Sequence, residues 1–295
     1  MNKKKNIILI DAYSYLYRIF YAKLKQNNIK KQSLNIELSL LNILKKMMIE
    51  FNPKKLIIVF DTKGKNFRNT IFKKYKINRI KMPYALQCQI PKILQLLTNV
   101  GIPVISMPNF EADDIIGTLS KIAEKHGDHV LIGTCDKDLA QLVNKNIYIL
   151  NNMTNTILKE QNIKIKYGVP PKLIIDLLSL TGDTADNIPG VKGIGKKIAI
   201  ALLINIGNIT KIYNNFEKIR KLPLRGTQNI INKLINGKKM AFLSYKLAKI
   251  QCEINIVKKY EELNFFIPNL KNINKEIKYK KIIQDIQNVI LNNSS

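Results

Sequence analysis

The sequence has few residues that suit disulfide, zinc or membrane chemistry. Its 295 residues include no tryptophan, two histidines and three cysteines. Cys88, Cys135 and Cys252 form no close pair and no zinc-binding spacing, so we expect no disulfide framework, no zinc site and a cytoplasmic location. No apolar run approaches the roughly 18 residues of a membrane span, and the short apolar stretch before Asp11 cannot serve as a signal peptide.

Acidic residues are scarce as well. The chain carries 21 Asp and Glu against 49 Lys and Arg, which gives a formal charge of +28. A basic surface concentrates polyanions, because binding to it releases counterions from phosphate backbones. A compositional drift towards Lys, Asn and Ile would raise the charge without any binding role. The net charge alone therefore leaves both explanations open.

The scarce acids recur in short groups, several of them directly after strand-like segments. Asp11 and Asp61 each follow an apolar run typical of a buried strand, and Asp136 follows a third. In open α/β sheets the ligand crevice lies outside these strand ends, where crowded carboxylates need cations. Oxygen ligands indicate Mg²⁺, or Mn²⁺ in its place, so we expect a binuclear site. The candidate ligands are Asp11, Asp61, Glu111, Asp113, Asp114, Asp136, Asp138, Asp183 and Asp186.

Helix capping is the alternative for the middle group of acids. If Asn109 is a helix N-cap, Glu111, Asp113 and Asp114 occupy the first helical turn, where the helix dipole favours negative charge. A single aspartate after a strand is also common in turns. The metal hypothesis depends on the recurrence of these acids, since each position alone has an ordinary structural explanation.

The order of apolar segments predicts an α/β fold with a largely parallel central sheet and flanking helices. Strand-like runs alternate with helical stretches, such as residues 34–49 and 90–97, up to about residue 160. Strands then fade, and Pro170 and Pro171 precede a helix predicted over residues 173–180. We expect an α/β core over residues 1–165, a helical subdomain over 166–260, and a loosely packed helical or frayed tail over 261–295.

Basic and aromatic residues are interleaved between Asp61 and Pro91. This mixture suits single-stranded nucleic acid, because cations track phosphates while rings stack on bases. A solvated basic helix is the alternative, but the segment leaves directly from Asp61 and so would overhang the proposed metals. Its members are Lys63, Lys65, Phe67, Arg68, Phe72, Lys73, Lys74, Tyr75, Lys76, Arg79, Lys81 and Tyr84.

A glycine-rich turn before the helix predicted over residues 198–204 is a second phosphate-binding candidate. Glycines allow close approach of the backbone, and N–H groups at a helix N-terminus bind anions. A plain structural turn is the alternative. Together with Asp183 and Asp186, the turn indicates a helix-hairpin-helix that binds duplex DNA. The loop before the hairpin would then complete the metal site. The candidate DNA-binding residues here are Gly190, Lys192, Gly193, Gly195, Lys196 and Lys197.

The ordered motifs resemble a known family, the bacterial and phage 5′ nucleases, and most closely the 5′→3′ exonuclease domain of DNA polymerase I. The matching segments are residues 10–18, 59–65, 75–79, 111–114, 136–138 and 182–195, and the similarity extends to about residue 255. The resemblance implies a PIN-like core with a helical arch over about residues 63–90 and a helix-hairpin-helix over about 173–204. It also implies a flap endonuclease and exonuclease that recognises junction shape, because phosphate contacts carry no sequence information.

The resemblance further implies a role for each group of residues. Six acids would surround the first Mg²⁺: Asp11, Asp61, Glu111, Asp113, Asp114 and Asp136. Asp138, Asp183 and Asp186 would hold the second, and the hairpin matches a K⁺ site. Tyr75 matches an aromatic residue that stacks on a nucleotide beside the scissile bond. Lys76 and Arg79 match a basic pair that would engage the scissile phosphate, and Arg18 joins them as a candidate catalytic residue.

Four positions depart from the family pattern, although none removes a candidate metal ligand. Ala12 replaces a glycine, Cys135 replaces a small residue, and Ala185 and Ile198 replace hydroxyl residues. Two other functions share part of the pattern. A PIN-like ribonuclease would not need the arch or the hairpin, and a non-catalytic junction-binding protein would not need all nine acids.

The resemblance also implies a cellular setting. We expect a monomeric, stand-alone nuclease near the nucleoid that acts in DNA replication and repair, including the removal of RNA primers. A separate DNA polymerase and a ligase would be its functional partners.

Overall fold

The computed structural model describes residues 6–26, 35–62, 64–266 and 277–294. A six-stranded sheet lies at its centre, with strands in the order β3-β2-β1-β4-β5-β6. All neighbouring strands are parallel except β5 and β6. The strands are β1 (Asn6–Asp11), β2 (Lys55–Val59), β3 (Val104–Ile105), β4 (His129–Thr134), β5 (Ile147–Asn151) and β6 (Thr156–Leu158). The largely parallel sheet was predicted from the apolar runs and is confirmed.

Helices cover both faces of the sheet, and all named elements after β6 are helical in the described residues. They are α1 (Ala12–Gln26), α2 (Ile36–Phe51), α3 (Phe67–Ile71), α4 (Tyr84–Gln87), α5 (Ile90–Val100), α6 (Ala112–Lys125), α7 (Glu160–Tyr167), α8 (Ile174–Thr181), α9 (Lys196–Asn205), α10 (Ile209–Tyr213), α11 (Phe216–Arg220), α12 (Thr227–Ala248), α13 (Val257–Glu262) and α14 (Ile277–Ser294). Short 3-10 turns occur at Asp138–Leu142 and Pro171–Leu173. Within the described ranges, none of the helices combines the length and apolar character needed to cross a bilayer.

The central strand contributes to two hydrophobic cores. Ile7 and Leu9 of β1 pack with α6 and with helices of the second half of the chain, while Ile8 and Ile10 pack with α1, α2, α5 and α14. Successive side chains of a strand point to opposite faces, so a strand buried on both faces is a continuous apolar run. This is why the sequence shows no alternation of polar and apolar residues before Asp11.

The C-terminal helix is closely packed, contrary to the expectation of a loose or frayed tail. On α14, Tyr279, Ile283, Ile286 and Ile290 are all buried against the core that contains α2 and α5. The Tyr279 hydroxyl donates a hydrogen bond of 2.6 Å to Glu37 Oε1. Spacings of three and four residues mark one helix face, so this packing was visible in the sequence. Residues 267–276 and Ser295, which the tail prediction also covered, lie outside the described residues.

The segment predicted as a helical arch is mostly irregular. Only the short α3 and α4 are helical between Gly64 and Gln89, and turns occupy the chain between them. Lys63 lies outside the described residues. We call residues 72–83 the arch loop. Pro83 and the left-handed backbone of Lys76, with a φ of 55°, are incompatible with a continuous helix through this loop.

The hairpin between α8 and α9 depends on a close approach of two backbone segments. Gly190 has a φ of 64°, and a Cβ atom there would lie 2.3 Å from the backbone nitrogen of Gly182. Its own N–H donates a hydrogen bond of 2.9 Å to Ser244 Oγ on α12. The glycine therefore holds the hairpin together from inside, which differs from the DNA-binding role predicted for it.

We expect Gly190→Ala to destabilise the fold by about 2 kcal/mol or more, because a left-handed backbone and a steric overlap add together. Urea denaturation followed by circular dichroism would measure the change in unfolding free energy. Gly195→Ala is the matched control, since Gly195 has a φ of −87° and a Cβ there meets nothing within 4 Å. Equal stability of the two variants would contradict this account of the hairpin.

Candidate metal centre and its basic cover

The carboxyl ends of three neighbouring strands bring the first acidic group together. Asp11 ends β1 and is aligned with Val59 at the end of β2, two residues before Asp61. Asp136 follows β4 on the other side of β1. Asp61 Oδ1 accepts a hydrogen bond of 2.7 Å from the N–H of Ala112, which fixes the start of α6 over the strand ends.

This first group opens into a cleft of about 660 Å³. The acids that line the cleft are Asp11, Asp61, Glu111, Asp113 and Asp136. Glu111 precedes α6 as its N-cap, whereas Asn109 lies two residues earlier with a left-handed φ of 69°. The prediction that Asn109 caps this helix is therefore wrong.

A second acidic group lies where the 3-10 turn after β4 meets the hairpin. Carboxylate oxygens of Asp138, Asp183 and Asp186 all lie within 4.8 Å of one another. All three side chains are buried, and Asp138 Oδ1 has no hydrogen-bond partner among the described residues. A buried carboxylate oxygen without a donor is costly unless a cation occupies the site. The donor set therefore fits an oxygen-preferring divalent cation.

The electrostatics of both groups also favour a bound cation. Burial, followed by the charges of the Asp136 and Asp61 carboxylates, raises the pKa of Asp11 to about 7. Burial and neighbouring carboxylates likewise hold the pKa of Asp113 and of Asp138 well above the ordinary value. The raised pKa values mean that the protein does not itself supply enough positive charge to keep these acids ionised. A bound cation would stabilise their ionised forms.

Two basic residues of the arch loop supply part of that charge. Lys76 Nζ lies 2.7 Å from Glu111 Oε1 and 3.6 Å from Asp186 Oδ2, and Arg79 Nη2 lies 3.0 Å from Asp186 Oδ1. Burial raises the pKa of Glu111, but the charges of Lys76 and Arg68 outweigh burial and leave that pKa below its ordinary value. The predicted phosphate-binding pair thus lies directly over the acids.

The arch loop is also fastened to the hairpin by its backbone. The N–H of Lys76 donates to the carbonyl of Asp186 at 2.9 Å, and Asn187 Nδ2 donates to the carbonyl of Lys74 at 2.6 Å. These contacts join segments more than 100 residues apart in the sequence. They place the arch loop beside both acidic groups, as expected for the basic and aromatic segment.

Tyr75 does not offer the stacking surface that was predicted for it. Its side chain is 5% exposed, and its hydroxyl donates to Glu111 Oε2 at 3.1 Å. Burial, followed by the charge of Glu111, raises the pKa of this hydroxyl above its ordinary value. In this conformation Tyr75 holds a candidate metal ligand in place.

Arg68 and Asp114 form a buried ion pair, so their predicted roles are wrong in this structure. Arg68, expected to bind DNA, is 2% exposed, and its two terminal nitrogens each lie 2.7 Å from an oxygen of Asp114. Both Asp114 oxygens also accept backbone N–H groups, from Glu111 and Gln251. A carboxylate saturated in this way has no oxygen left for a metal.

The pair also ties three parts of the molecule together. Arg68 Nε donates to the carbonyl of Leu247 at 2.9 Å, and Nη2 donates to that of Lys249 at 3.0 Å, both at the end of α12. Arg68 Nη1 lies 3.3 Å from Glu111 Oε2. The foot of the arch, the start of α6 and the long helix α12 therefore meet at one guanidinium group.

The remaining predicted DNA-binding residues lie at the surface. Lys73 and Lys74 are exposed on the arch loop, and on the hairpin side the exposed residues are Lys192, Gly193, Gly195, Lys196 and Lys197. The N–H groups that begin α9 follow Gly195, as the anion-binding interpretation requires.

Two family models match consecutive parts of the chain. The model described as "5'-3' exonuclease, N-terminal resolvase-like domain" matches residues 6–168. The model described as "5'-3' exonuclease, C-terminal SAM fold" matches residues 169–292. The chain belongs to the 5′–3′ exonuclease family. The resemblance predicted from the ordered motifs is confirmed, and the protein is a nuclease.

The chain is similar both to separate 5'-3' exonucleases and to part of DNA polymerase I. The 5'-3' exonuclease of Buchnera aphidicola subsp. Baizongia pistaciae is 47% identical over 254 residues, covering 86% of this chain and 84% of that protein. DNA polymerase I of Pseudomonas aeruginosa is 36% identical over 284 residues, covering 95% of this chain and 31% of the polymerase.

The fold of the exonuclease is shared with a solved phage enzyme. The bacteriophage T5 D15 flap endonuclease, in a complex with DNA and metal ions, matches with a TM-score of 0.67 and 21% sequence identity. The match covers 97% of this chain and 99% of the phage chain. At this identity the likeness shows the fold, and it agrees with the predicted PIN-like core and C-terminal helical part.

The cleft of the exonuclease also contains residues that the sequence analysis missed. Tyr13, Tyr17 and Tyr21 line it along one face of α1, together with the predicted Arg18. The ring centroids of Tyr13 and Tyr17 are 6.4 Å apart, and those of Tyr17 and Tyr21 are 6.3 Å apart. A spacing of four residues on a helix was the signal for this row of rings.

The four departures from the family pattern leave the acidic groups of the exonuclease intact. Ala12 is buried at the start of α1, and Cys135 is exposed with its sulfur 3.1 Å from Ser14 Oγ. The N–H of Ala185 donates to Asp183 Oδ1 at 3.1 Å. Ile198 packs against the core on α9. The backbone of Ala185 thus contacts the second group although its side chain lacks a hydroxyl.

Proposed function

We propose that this exonuclease is a Mg²⁺-dependent, structure-specific 5′ nuclease that cleaves phosphodiester bonds at DNA 5′ ends and flap junctions. The observation that carries the proposal is that Lys76 contacts both acidic groups, at 2.7 Å from Glu111 of the first and 3.6 Å from Asp186 of the second. Arg79 contacts Asp186 as well, and both basic residues line the cleft. The phage enzyme of the same fold, which is described as a flap endonuclease in complex with DNA and metal ions, supports the same assignment.

The two acidic groups would hold two divalent cations. Five residues form the proposed first site: Asp11, Asp61, Glu111, Asp113 and Asp136. The proposed second site consists of Asp138, Asp183 and Asp186. Oxygen-only donors favour Mg²⁺, for which Mn²⁺ can substitute. When bound, such cations supply charge neutralisation at the phosphate and a more acidic water.

Lys76 and Arg79 would bind the scissile phosphate. In this structure Lys76 pairs with Glu111, and Arg79 pairs with Asp186. Bound metal cations would take over the neutralisation of these two carboxylates. The two side chains could then exchange carboxylate oxygens for phosphate oxygens without leaving the cleft. Positive groups fixed beside a phosphate stabilise the negative charge that develops as the bond breaks.

The exposed cations outside the cleft would bind the DNA backbone. Lys192, Lys196 and Lys197, with the exposed glycines Gly193 and Gly195, would contact the duplex, and a K⁺ ion would bind at this hairpin. Lys73 and Lys74 would contact the single strand, next to Arg18 and the tyrosines of α1. Phosphate contacts position DNA without reading its sequence, so we propose recognition of junction shape.

We place this activity in DNA replication and repair, including primer removal. The similarity to DNA polymerase I supports a functional link to a polymerase, and ligation would complete the repair of the processed nick. In this proposal the enzyme acts as a monomer on DNA of the bacterial nucleoid. We also propose a nuclease core over residues 1–165 and a hairpin subdomain over residues 166–260.

A flap cleavage assay tests the proposal. A 5′-labelled flap on a nicked duplex would be incubated with the purified protein, with Mg²⁺ or with EDTA, and the product mapped. We expect cleavage next to the junction that requires Mg²⁺. Tight binding without cleavage would favour the non-catalytic junction-binding protein, and cleavage of unstructured RNA alone would favour the PIN-like ribonuclease.

We expect Lys76→Ala to lower the single-turnover rate of flap cleavage by about a hundredfold, the typical effect of removing one donor to developing charge. Rapid-quench measurements at saturating enzyme would give this rate. Lys145→Ala, a change at an exposed position outside the cleft, is the control and should cleave normally. An unchanged rate for Lys76→Ala would remove Lys76 from the phosphate-binding role.

A further inference from the structure

One threonine hydroxyl lies between two of the proposed metal ligands. Thr134 is the last residue of β4 and is fully buried. Its Oγ1 is 2.9 Å from Asp11 Oδ2 and 3.0 Å from the backbone nitrogen of Asp136. A single side-chain atom therefore connects the ligand at the end of β1 with the ligand that follows β4.

The chemistry of the three groups fixes the direction of these hydrogen bonds. The N–H of Asp136 can only donate, so Thr134 Oγ1 must accept from it. The hydroxyl hydrogen is then free to be donated to Asp11 Oδ2, and beside a cation Asp11 would be ionised and could act only as an acceptor. Asp11 Oδ1 accepts the N–H of Ser14 at 3.2 Å. Each Asp11 oxygen thus has one protein donor and keeps a lone pair for a cation.

The surrounding contacts hold the turn after β4 in one position. Ser14 Oγ accepts the N–H of Cys135 at 3.0 Å and an N–H of the Asn152 side chain at 2.8 Å. The N–H of Asn152 donates in turn to the carbonyl of Thr134 at 3.4 Å. The start of α1 and the end of β5 therefore fix the backbone from which the Thr134 hydroxyl reaches both ligands.

We propose that Thr134 is a positioning residue that orients Asp11 and Asp136 towards the cation of the first site. The proposal rests on the proposed function, since that function gives the two acids their role. A purely structural role for Thr134 would be different, because the hydroxyl would then only accept the N–H of Asp136 and stabilise the turn after β4. Groups that hydrogen-bond to metal ligands typically change metal affinity or activity about 10- to 100-fold when they are removed.

Cation binding by the protein without DNA tests the proposal. Electron paramagnetic resonance of free Mn²⁺ would give the affinities of the wild type and of Thr134→Val, which removes the hydroxyl at constant shape. We expect one class of Mn²⁺ site to weaken about 10- to 100-fold, while the class formed by the Asp138 group stays unchanged. Thr134→Ser keeps the hydroxyl and should escape this loss of about 10- to 100-fold in Mn²⁺ affinity.

A matched control removes a buried hydroxyl elsewhere. Thr118 is 3% exposed, and its hydroxyl donates to the backbone carbonyl of Asp114, which is not a proposed ligand. Thr118→Val should leave Mn²⁺ affinity unchanged. Thermal unfolding would confirm that each variant folds, and Thr134→Ala provides the same deletion with less volume if valine disrupts packing.

Two results would overturn the proposal. One is unchanged Mn²⁺ affinity in a folded Thr134→Val or Thr134→Ala variant. The other is an equal loss in Thr134→Ser, which keeps the hydroxyl, so the effect would be assigned to side-chain packing at this position and not to the hydrogen bond. Both readouts are independent of cleavage, so a wild-type protein that binds Mn²⁺ but cuts no flap would count against the proposed function alone.

Discussion

Asp138→Asn will lower the single-turnover rate of flap cleavage by roughly a thousandfold, since the loss of a metal ligand removes several kcal/mol of transition-state stabilisation. Asp138 is the member of the second acidic group whose Oδ1 has no hydrogen-bond partner among the described residues. Its side chain is buried, whereas the lysines of the arch loop and the hairpin that are proposed to bind DNA are exposed. Binding of the flap substrate should therefore change little.

The measurement pairs rapid-quench cleavage with a binding titration in Ca²⁺, which lets DNA binding be followed separately from cleavage. Asp176→Asn is the matched control, because Asp176 is also buried, at 4% exposure, but accepts the N–H of Ile209 and belongs to neither acidic group. That variant should cleave at the wild-type rate. If Asp138→Asn weakened binding as much as cleavage, Asp138 would have to be reassigned from metal ligation to DNA binding.

Arg68→Met will destabilise the protein by about 3–5 kcal/mol, the usual cost of removing one partner from a buried ion pair. Asp114 would remain fully buried with its charge, and the carbonyls of Leu247 and Lys249 would lose their donors. Glu111 would lose a neighbouring cation as well. Chemical denaturation, followed by circular dichroism in the absence of divalent ions, measures the loss directly.

An exposed ion pair provides the control for this prediction. Arg220 pairs with Glu217 at the surface, where such pairs contribute about 0–1 kcal/mol, so Arg220→Met should hardly change stability. The double variant Arg68→Met/Asp114→Leu should recover part of the loss, because an apolar pair leaves no buried charge. A loss below about 1 kcal/mol in Arg68→Met would show that solvent reaches Asp114.

The acidic residues at the strand ends could be predicted because each one follows an apolar run in the sequence. Ile7 to Ile10 form a continuous apolar run that ends at Asp11, and a parallel sheet places such ends side by side. The positions of Asp61 and Asp136 at the crevice could be predicted in the same way, because each residue follows an apolar strand. Only the order of the strands, with β1 at the centre, required the structure.

The corrected residues are those whose environment is set by distant parts of the chain. Arg68 is one of many basic residues in its segment, and nothing nearby in sequence shows that Asp114 and the end of α12 enclose it. Gly190 lies in a sequence typical of an exposed turn, yet its N–H donates a hydrogen bond to Ser244. Burial by long-range packing cannot be deduced from residue type and spacing, so these roles follow only from the folded structure.

The attachment of the arch loop to the hairpin has a kinetic consequence. The bonds from Lys76 to Asp186 and from Asn187 to Lys74 must part before a strand can pass between the loop and the acids. If the proposed function holds, we expect association with a flap to have two steps, a fast electrostatic encounter and a slower rearrangement of the protein. The association rate should then reach a plateau as the DNA concentration rises, and the plateau would give the rate at which the loop detaches from the hairpin.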